Sequence, residues 1–355
     1  MTRLTAILLA SLFIFSNALI AQETKKERKA RYEESKQYKD GKFLNSVETE
    51  MGFSVKDFRT LISRARKGPT AGQIPGGKLL MNRNWEAREG MWWSWLGHST
   101  VFMQVEGKKV LIDPIYSDRS SPFQWAGPKR FHEVPLASEN MPLPDVIIIS
   151  HDHYDHLDKE TMKFYSDKCK QFFVPLGVGS HLEKWGISSD KITELDWWQH
   201  ADWNGIEIHC TPARHFSGRG FKKDPTLWAS WCIIGKENRI FYSGDTGYFN
   251  GFKEIGDKLG PFDLNFMQVG AYDKMWPNIH MFPEEAAQAH LDLKASKMVP
   301  LHWGTFNLAF HDWDEPAKRL KAESDSLQID LFFPILGVQN NAAAKNEEGT
   351  PLWWE

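Results

Sequence analysis

The chain has 355 residues, 41% hydrophobic and 25% charged, with a formal net charge of -3. This is ordinary globular composition and length enough for a sizeable core. The faintly acidic balance, without zinc-finger spacing or an arginine-rich arm, argues against a strongly basic nucleic-acid binder. Three cysteines with no CxxC pair give no disulfide framework, so Cys169, Cys210 and Cys232 are expected as buried free thiols. Sixteen tryptophans fit either a Trp-rich core or rings that line an apolar cleft or touch lipid headgroups, and composition does not choose.

Residues 1–21 read as a signal peptide. Arg3 supplies a positive start, Leu4 to Phe15 is mostly apolar, and Leu19-Ile20-Ala21 puts a small residue before a cut near Ala21–Gln22. The expectation is export, to a periplasmic or secreted location, with peripheral membrane contact left open. Residues 22–85 form an N-terminal helical arm and linker. Mixed charges from Glu23 to Lys42 suit a solvated helix or a mobile arm, and the Lys25–Arg31 cluster could touch an anionic membrane. Val55, Phe58, Leu61 and Ile62 have helical spacing before Gly68, and Gly68–Gly77 is a Pro/Gly linker.

The main domain spans 86–340. Trp92–Leu96, Thr100–Val105 and Lys109–Ile112 read as strands, with a hairpin turn at Glu106-Gly107-Lys108. Val146–Ile149 is wholly apolar, as a strand buried on both faces would be. A helix follows over Asp158–Asp167 with Asp158 as N-cap. The second half repeats this grammar, with strands around Cys210 and Cys232, a buried strand at Phe262–Gly270, a helix opening at Pro283, a strand at Lys297–Gly304 and a closing helix over Asp314–Leu327. Two rounds of antiparallel strands followed by βα units predict an α/β fold of two packed mixed sheets with helices outside. The tail, 341–355, reads as loosely held.

His151 to Asp158 carries three histidines and three aspartates directly after the isoleucine run. Residues two apart in extended chain face the same way, so His151 and His153 can share one metal. Asp155 and His156 come as the chain turns and can reach a second. Such paired cations sit ~3.5–4 Å apart. Further ligands are expected at strand ends: His215, Asp245 and His302 each follow an apolar run. Imidazole and carboxylate ligands suit two Zn2+, with iron or manganese as the other candidates. Water shared by two such ions would supply a hydroxide nucleophile near neutral pH.

The segment His151-Asp152-His153-Tyr154-Asp155-His156 resembles the HxHxDH signature of the metallo-β-lactamase superfamily, and His215, Asp245 and His302 follow in its order. The blocks from Trp95 to Pro122, Tyr242 to Leu264, Pro283 to His290 and His302 to Phe306 are similar to the N-acylphosphatidylethanolamine-hydrolysing phospholipase D branch, over roughly Met91 to Leu308. The resemblance implies a four-layer αββα hydrolase domain. It places His151, His153 and His215 on one metal, Asp155, His156 and His302 on the other, and Asp245 between them. His280, just before the Pro283 helix, matches an active-site histidine of the phospholipase; His280 and Asp155 are the candidate catalytic residues, and His98 is expected to shape the turn under the metals. Arg214, Arg219, Lys222 and Lys223 could attract anionic headgroups. Tyr272–Ile279 should line the mouth, although it matches no lipid pocket, so acyl-chain recognition is open. The implied activity is a zinc-dependent phosphodiesterase of phospholipase D type on N-acylphosphatidylethanolamine-like lipids. The alternative is a lactonase or other small-molecule hydrolase on the same metals.

Overall fold

Phe102, Leu111 and Ile147 face one way from their strands, while Val101, Val110 and Ile148 face the other, and the two sets enter separate apolar clusters. That alternation, forced by the two-residue period of a strand, separates an inner layer from an outer one. The computed structural model describes residues 23–50, 85–86, 88–135, 141–220, 222–346 and 352–354. The expected signal peptide, the helix over Ser54–Gly68 and the linker over Gly68–Gly77 lie outside the described residues.

Helix α1 (Lys25–Glu33) leads into a hairpin of β1 (Tyr38–Lys39) and β2 (Lys42–Phe43). The first large sheet comprises β3 (Trp92–Trp95), β4 (Val101–Val105), β5 (Lys108–Ile112), β6 (Val146–Ile148), β7 (Gln171–Pro175), β8 (Ile192–Leu195) and β15 (Asn340–Asn341), in the order β15-β3-β4-β5-β6-β7-β8. Pairing is antiparallel from β15 to β5 and parallel from β5 to β8. The second sheet comprises β9 (His200–Trp203), β10 (Ile206–Thr211), β11 (Ser230–Ile234), β12 (Arg239–Tyr242), β13 (Leu264–Gln268) and β14 (Met298–Leu301), in the order β14-β13-β12-β11-β10-β9. It is antiparallel up to β12 and parallel beyond.

The inner faces share one core, in which Trp93 of the first sheet meets Phe266 of the second at 5.2 Å between ring centres. Outside the first sheet lie α2 (Lys159–Tyr165) and α3 (Gly179–Lys184), whose Met162, Tyr165 and Leu182 pack on Phe102, Ile147 and Phe172. Asp158 caps α2 through the Glu160 amide, as the sequence predicts. Outside the second sheet lie α4 (Gly251–Leu259), α5 (Pro283–Asp292) and α6 (Glu315–Leu327), burying Phe252, Ile255, Ala286, Ala289 and Leu320. The expected αββα layering is the one observed. The three cysteines are free and buried, also as expected.

Two expectations at the ends are corrected. The arm is not mobile but docked through two of its cations, while Lys26 and Lys29 of its basic cluster stay exposed. Arg28 pairs with Glu183 at 2.5 Å, and Arg31 pairs with the buried carboxylate of Glu194 at 2.5 Å. The charges that look self-contained in sequence have partners more than a hundred residues away. Nor is the tail loose at its end: Trp354 is buried against Phe333 at 5.1 Å, and the Trp353 indole donates to the Pro334 carbonyl at 3.0 Å. The large apolar area of these rings outweighs the entropy of holding a terminus.

Candidate metal centre

Five loops leave the two sheets at one edge of the sandwich, and each delivers a donor. Asp113 follows β5 directly, His151 to His156 follow β6, His215 follows β10, Asp245 follows β12, and His302 follows β14 directly. His302, His98 and Asp113 hold left-handed backbone, with φ of 66°, 52° and 42°. Non-glycine residues rarely stay there unless their surroundings impose it. Gly244, at φ +57°, must remain glycine, because a Cβ would lie 2.8 Å from both the Ala229 carbonyl oxygen and the Ser150 Cβ.

The donors form two groups that meet at Asp245. In the first, His151, His153, His215 and Asp245 bring one ligand atom each within 4.8 Å of one another. In the second, His98, Asp155, His156 and His302 do the same. Asp245 Oδ2 lies 3.8 Å from the Nε2 atoms of His151 and His215, and 3.1 and 3.0 Å from those of His156 and His302. One carboxylate thus stands between both sets. The sequence assigns seven residues to this centre, and the fold brings all seven together. His98 joins the second group, its Nε2 2.9 Å from Asp155 Oδ2 and its ring 4.0 Å from that of His302.

The outer nitrogens fix the tautomers. His156 Nδ1 is 2.7 Å from Asp113 Oδ2, and His215 Nδ1 donates to the Ile279 carbonyl at 2.9 Å. Each leaves Nε2 as a lone pair aimed at the centre. Asp113 also accepts from the Ser150 amide at 2.7 Å, from the Ser150 hydroxyl and from the Tyr242 hydroxyl at 2.8 Å.

Burial and mutual repulsion hold the His151 and His215 imidazoles well below their ordinary value, and burial lowers His153 too. Burial alone would lower His156 and His302 as well. The Asp245 and Asp155 carboxylates outweigh it, keeping His156 well above the ordinary value and raising His302 to about 9. Burial would raise Asp245, yet His156 and His302 hold it well below the usual carboxylate range.

A metal fits these residues better than protons do. Asp245 Oδ1, His156 Nε2 and His302 Nε2 are buried without a hydrogen-bond partner. The short distances from these nitrogens to Asp245 lack hydrogen-bond geometry. Burying such groups unpaired costs ~1–3 kcal/mol each. Divalent cations accepting their lone pairs remove that cost.

The β-lactamase superfamily domain matches residues 108–303, more than half of the chain. This chain belongs to the metallo-β-lactamase superfamily. It is 43% identical to an uncharacterised protein of Mycobacterium tuberculosis over 86% of this chain and 84% of that one. It is 38% identical to N-acyl-phosphatidylethanolamine-hydrolyzing phospholipase D 1 of Caenorhabditis elegans, over 68% of this chain and 72% of that one. Among solved structures, an isothiocyanate hydrolase from Delia radicum gut bacteria superposes with a TM-score of 0.57 at 19% identity, covering 70% of this chain and 98% of that one. The last likeness speaks for the fold alone. The superfamily is one of metal-dependent hydrolases, and the His/Asp groups of this chain have the donor chemistry for it.

An opening of about 320 Å3 lies over the centre. It is lined by the polar residues His153, Asp155, Asp245, His280 and His302 and by the apolar residues Phe216, Trp276, Ile279 and Leu308. His280 stands at the mouth, its ring 5.2 Å from those of His215 and His302, and burial lowers its pKa to about 3. It is therefore a neutral imidazole, fitted to donate a hydrogen bond. Trp276 and Ile279 place the Tyr272–Ile279 segment at the mouth, as expected.

Two arginines expected to draw in anions do other work. Arg219 donates to the carbonyls of Asp152 and Leu157 at 2.9 and 2.6 Å and lies 4.0 Å over the Tyr154 ring. Arg214 ties Thr49 to the Tyr248 carbonyl and the Asn278 side chain. The Arg214 guanidinium and Arg219 Nη1 are thus already engaged within the protein, whereas Lys222 and Lys223 remain exposed. The sequence reading missed Asn45, whose side chain bonds both the His215 amide and carbonyl at 3.0 and 2.8 Å. It also missed Asp113, although an acid straight after an apolar strand is the signal that singled out Asp245.

Proposed function

We propose that this chain is a binuclear metal-dependent phosphodiesterase of phospholipase D type, acting on N-acylphosphatidylethanolamine-like lipids. The observation that carries the reading is one opening lined both by imidazoles and carboxylates and by the apolar Phe216, Trp276, Ile279 and Leu308. A phospholipid diester combines the same two characters. The 38% identity to the Caenorhabditis elegans phospholipase supports it.

His151, His153 and His215 would hold one cation, Asp155, His156 and His302 the other, with Asp245 shared; zinc suits this donor set best. Bound there, such cations supply Lewis-acid stabilisation of a phosphoryl group and a water acidified toward neutral pH. The chain's own residues orient the reaction. Asp113 and the Ile279 carbonyl keep His156 and His215 in fixed tautomers. Neutral His280 donates a hydrogen bond to a phosphoryl oxygen as charge grows there. Ionised Asp155 keeps the site anionic, which favours cations and sets the phosphoryl group among them. Trp276 and the other apolar lining residues exclude water and receive the apolar part of the substrate. Water's oxygen bonds phosphorus, the bond to the ethanolamine oxygen breaks, and the leaving oxygen takes up the proton.

The test is incubation of metal-loaded protein with N-acylphosphatidylethanolamine and mass-spectrometric detection of phosphatidic acid and N-acylethanolamine together. No turnover of this lipid, with cleavage of a lactone by the same sample, would favour the small-molecule alternative, to which an opening of about 320 Å3 also gives room. The reading includes export: N-terminal sequencing of protein recovered from the cell envelope should begin at Gln22.

A further inference from the structure

Trp125 is 80% exposed and Phe123 is 55% exposed, on a loop between β5 and β6. Their rings lie side by side, 5.4 Å between centres. In a chain that buries Trp93, Trp95, Trp228 and Trp231 completely, two large rings left outside need a reason.

The loop is built to hold them out. Arg119 and Lys129 close its base as an isolated antiparallel bridge. Across it, Arg119 Nε donates to the Gln124 carbonyl at 3.1 Å and its Nη1 donates to the Gly127 carbonyl at 2.5 Å. The Gln124 side chain accepts from the Arg119 amide at 3.1 Å and donates to the Arg119 carbonyl at 3.2 Å. Gly127, at φ +101°, has no room for a Cβ, which would sit 2.7 Å from the Ser121 Cβ. The aromatic tip is therefore ordered from within.

Its charge is one-sided. Between Asp118 and Glu133 the loop carries Arg119, Lys129 and Arg130 and no acid, although the whole chain is net acidic. Lys129 is exposed, while Arg130 is buried and turned inward over the Phe306 ring at 5.1 Å. Phe306 in turn meets His98 at 5.2 Å, and the Phe131 amide donates to the Thr305 carbonyl at 2.9 Å. The loop thus rises from the wall beside the metal centre.

We propose that the Phe123–Trp125 loop is a membrane-docking element that inserts its two rings at the headgroup boundary of an anionic bilayer. Trp favours that boundary, and the exposed Lys129, with no acid on the tip between Asp118 and Glu133, complements anionic headgroups. Two rings on a narrow tip bury far less than the ~800 Å2 per partner of a stable protein interface, so a second protein is the poorer occupant. The proposal concerns membrane contact only and does not require the phospholipase reading.

The experiment measures co-sedimentation of the full chain, with metal chelated so that hydrolysis plays no part, with vesicles of phosphatidylcholine and phosphatidylglycerol. The F123S/W125S variant should partition at least about tenfold less than the parent. Its melting temperature should be unchanged, because both side chains are exposed. Local insertion is read with an environment-sensitive dye on Pro122→Cys; the three native cysteines are buried and escape labelling. The dye should shift to the blue on adding vesicles, whichever other segment also binds lipid. Equal partitioning of parent and variant, or no dye shift, would overturn the proposal. A parent dimer that becomes monomeric in the variant would overturn it in favour of self-association.

Discussion

Asp113→Asn perturbs the centre without replacing any proposed ligand. Asp113 Oδ1 receives the Ser150 amide at 2.7 Å; Oδ2 receives the Ser150 hydroxyl, His156 Nδ1 at 2.7 Å and the Tyr242 hydroxyl at 2.8 Å. Asparagine can present one oxygen and one NH2. With NH2 at the first position it meets the Ser150 amide, donor to donor, next to His151. With NH2 at the second it meets three donors and turns the His156 tautomer, so that Nε2 carries the proton and loses its lone pair. Either placement leaves a buried donor unpaired, at ~1–3 kcal/mol, and removes charge assistance from the rest. Outer partners of metal ligands typically carry 10–100-fold in metal affinity. Competition with a chromophoric chelator should therefore show zinc bound at least about tenfold more weakly, with the folded state retained by circular dichroism. An affinity equal to the parent's would refute the claim that Asp113 sets the ligand geometry.

Other consequences follow from the same contacts. Asn45→Ala should loosen the His215 backbone, lowering turnover severalfold with little change in melting temperature; unchanged kinetics would detach the arm from the centre. Trp354→Ala should lower stability by ~3–5 kcal/mol, read by urea unfolding, because a buried indole is lost from the core. Burial pushes His290 down to about 4, against an ordinary 6.5. The unfolded chain binds that proton first, so this contribution to stability is complete above pH 6.5 and fades as pH falls toward 4. His290→Gln should flatten the acid limb of a plot of melting temperature against pH, and an unchanged limb would place the sensitivity elsewhere.

The layered fold was legible because each cue was local. The apolar runs at Val146–Ile149 and Met298–Leu301 marked buried strands, and Asp158 and Pro283 marked helix starts. The donors were legible for a similar reason: a histidine or aspartate set directly after a buried strand is carried to the sheet edge. Asn45 gave no such sign, since its role depends on an arm folding back across 170 positions to His215. The docked arm was hidden likewise, because Glu183 and Glu194 neutralise Arg28 and Arg31 only after folding. Arg214 and Arg219 misled for the opposite reason: sequence shows a charge but not whether carbonyls already occupy its donors.

The most direct test of the central claim is the transition-metal content of purified protein, measured by plasma mass spectrometry for the parent and Asp245→Ala. The account predicts about two ions per parent chain, one for each donor group, and a clear deficit when the shared carboxylate is removed. A parent without transition metal, or an Asp245→Ala protein that retains the parent's full complement, would contradict it.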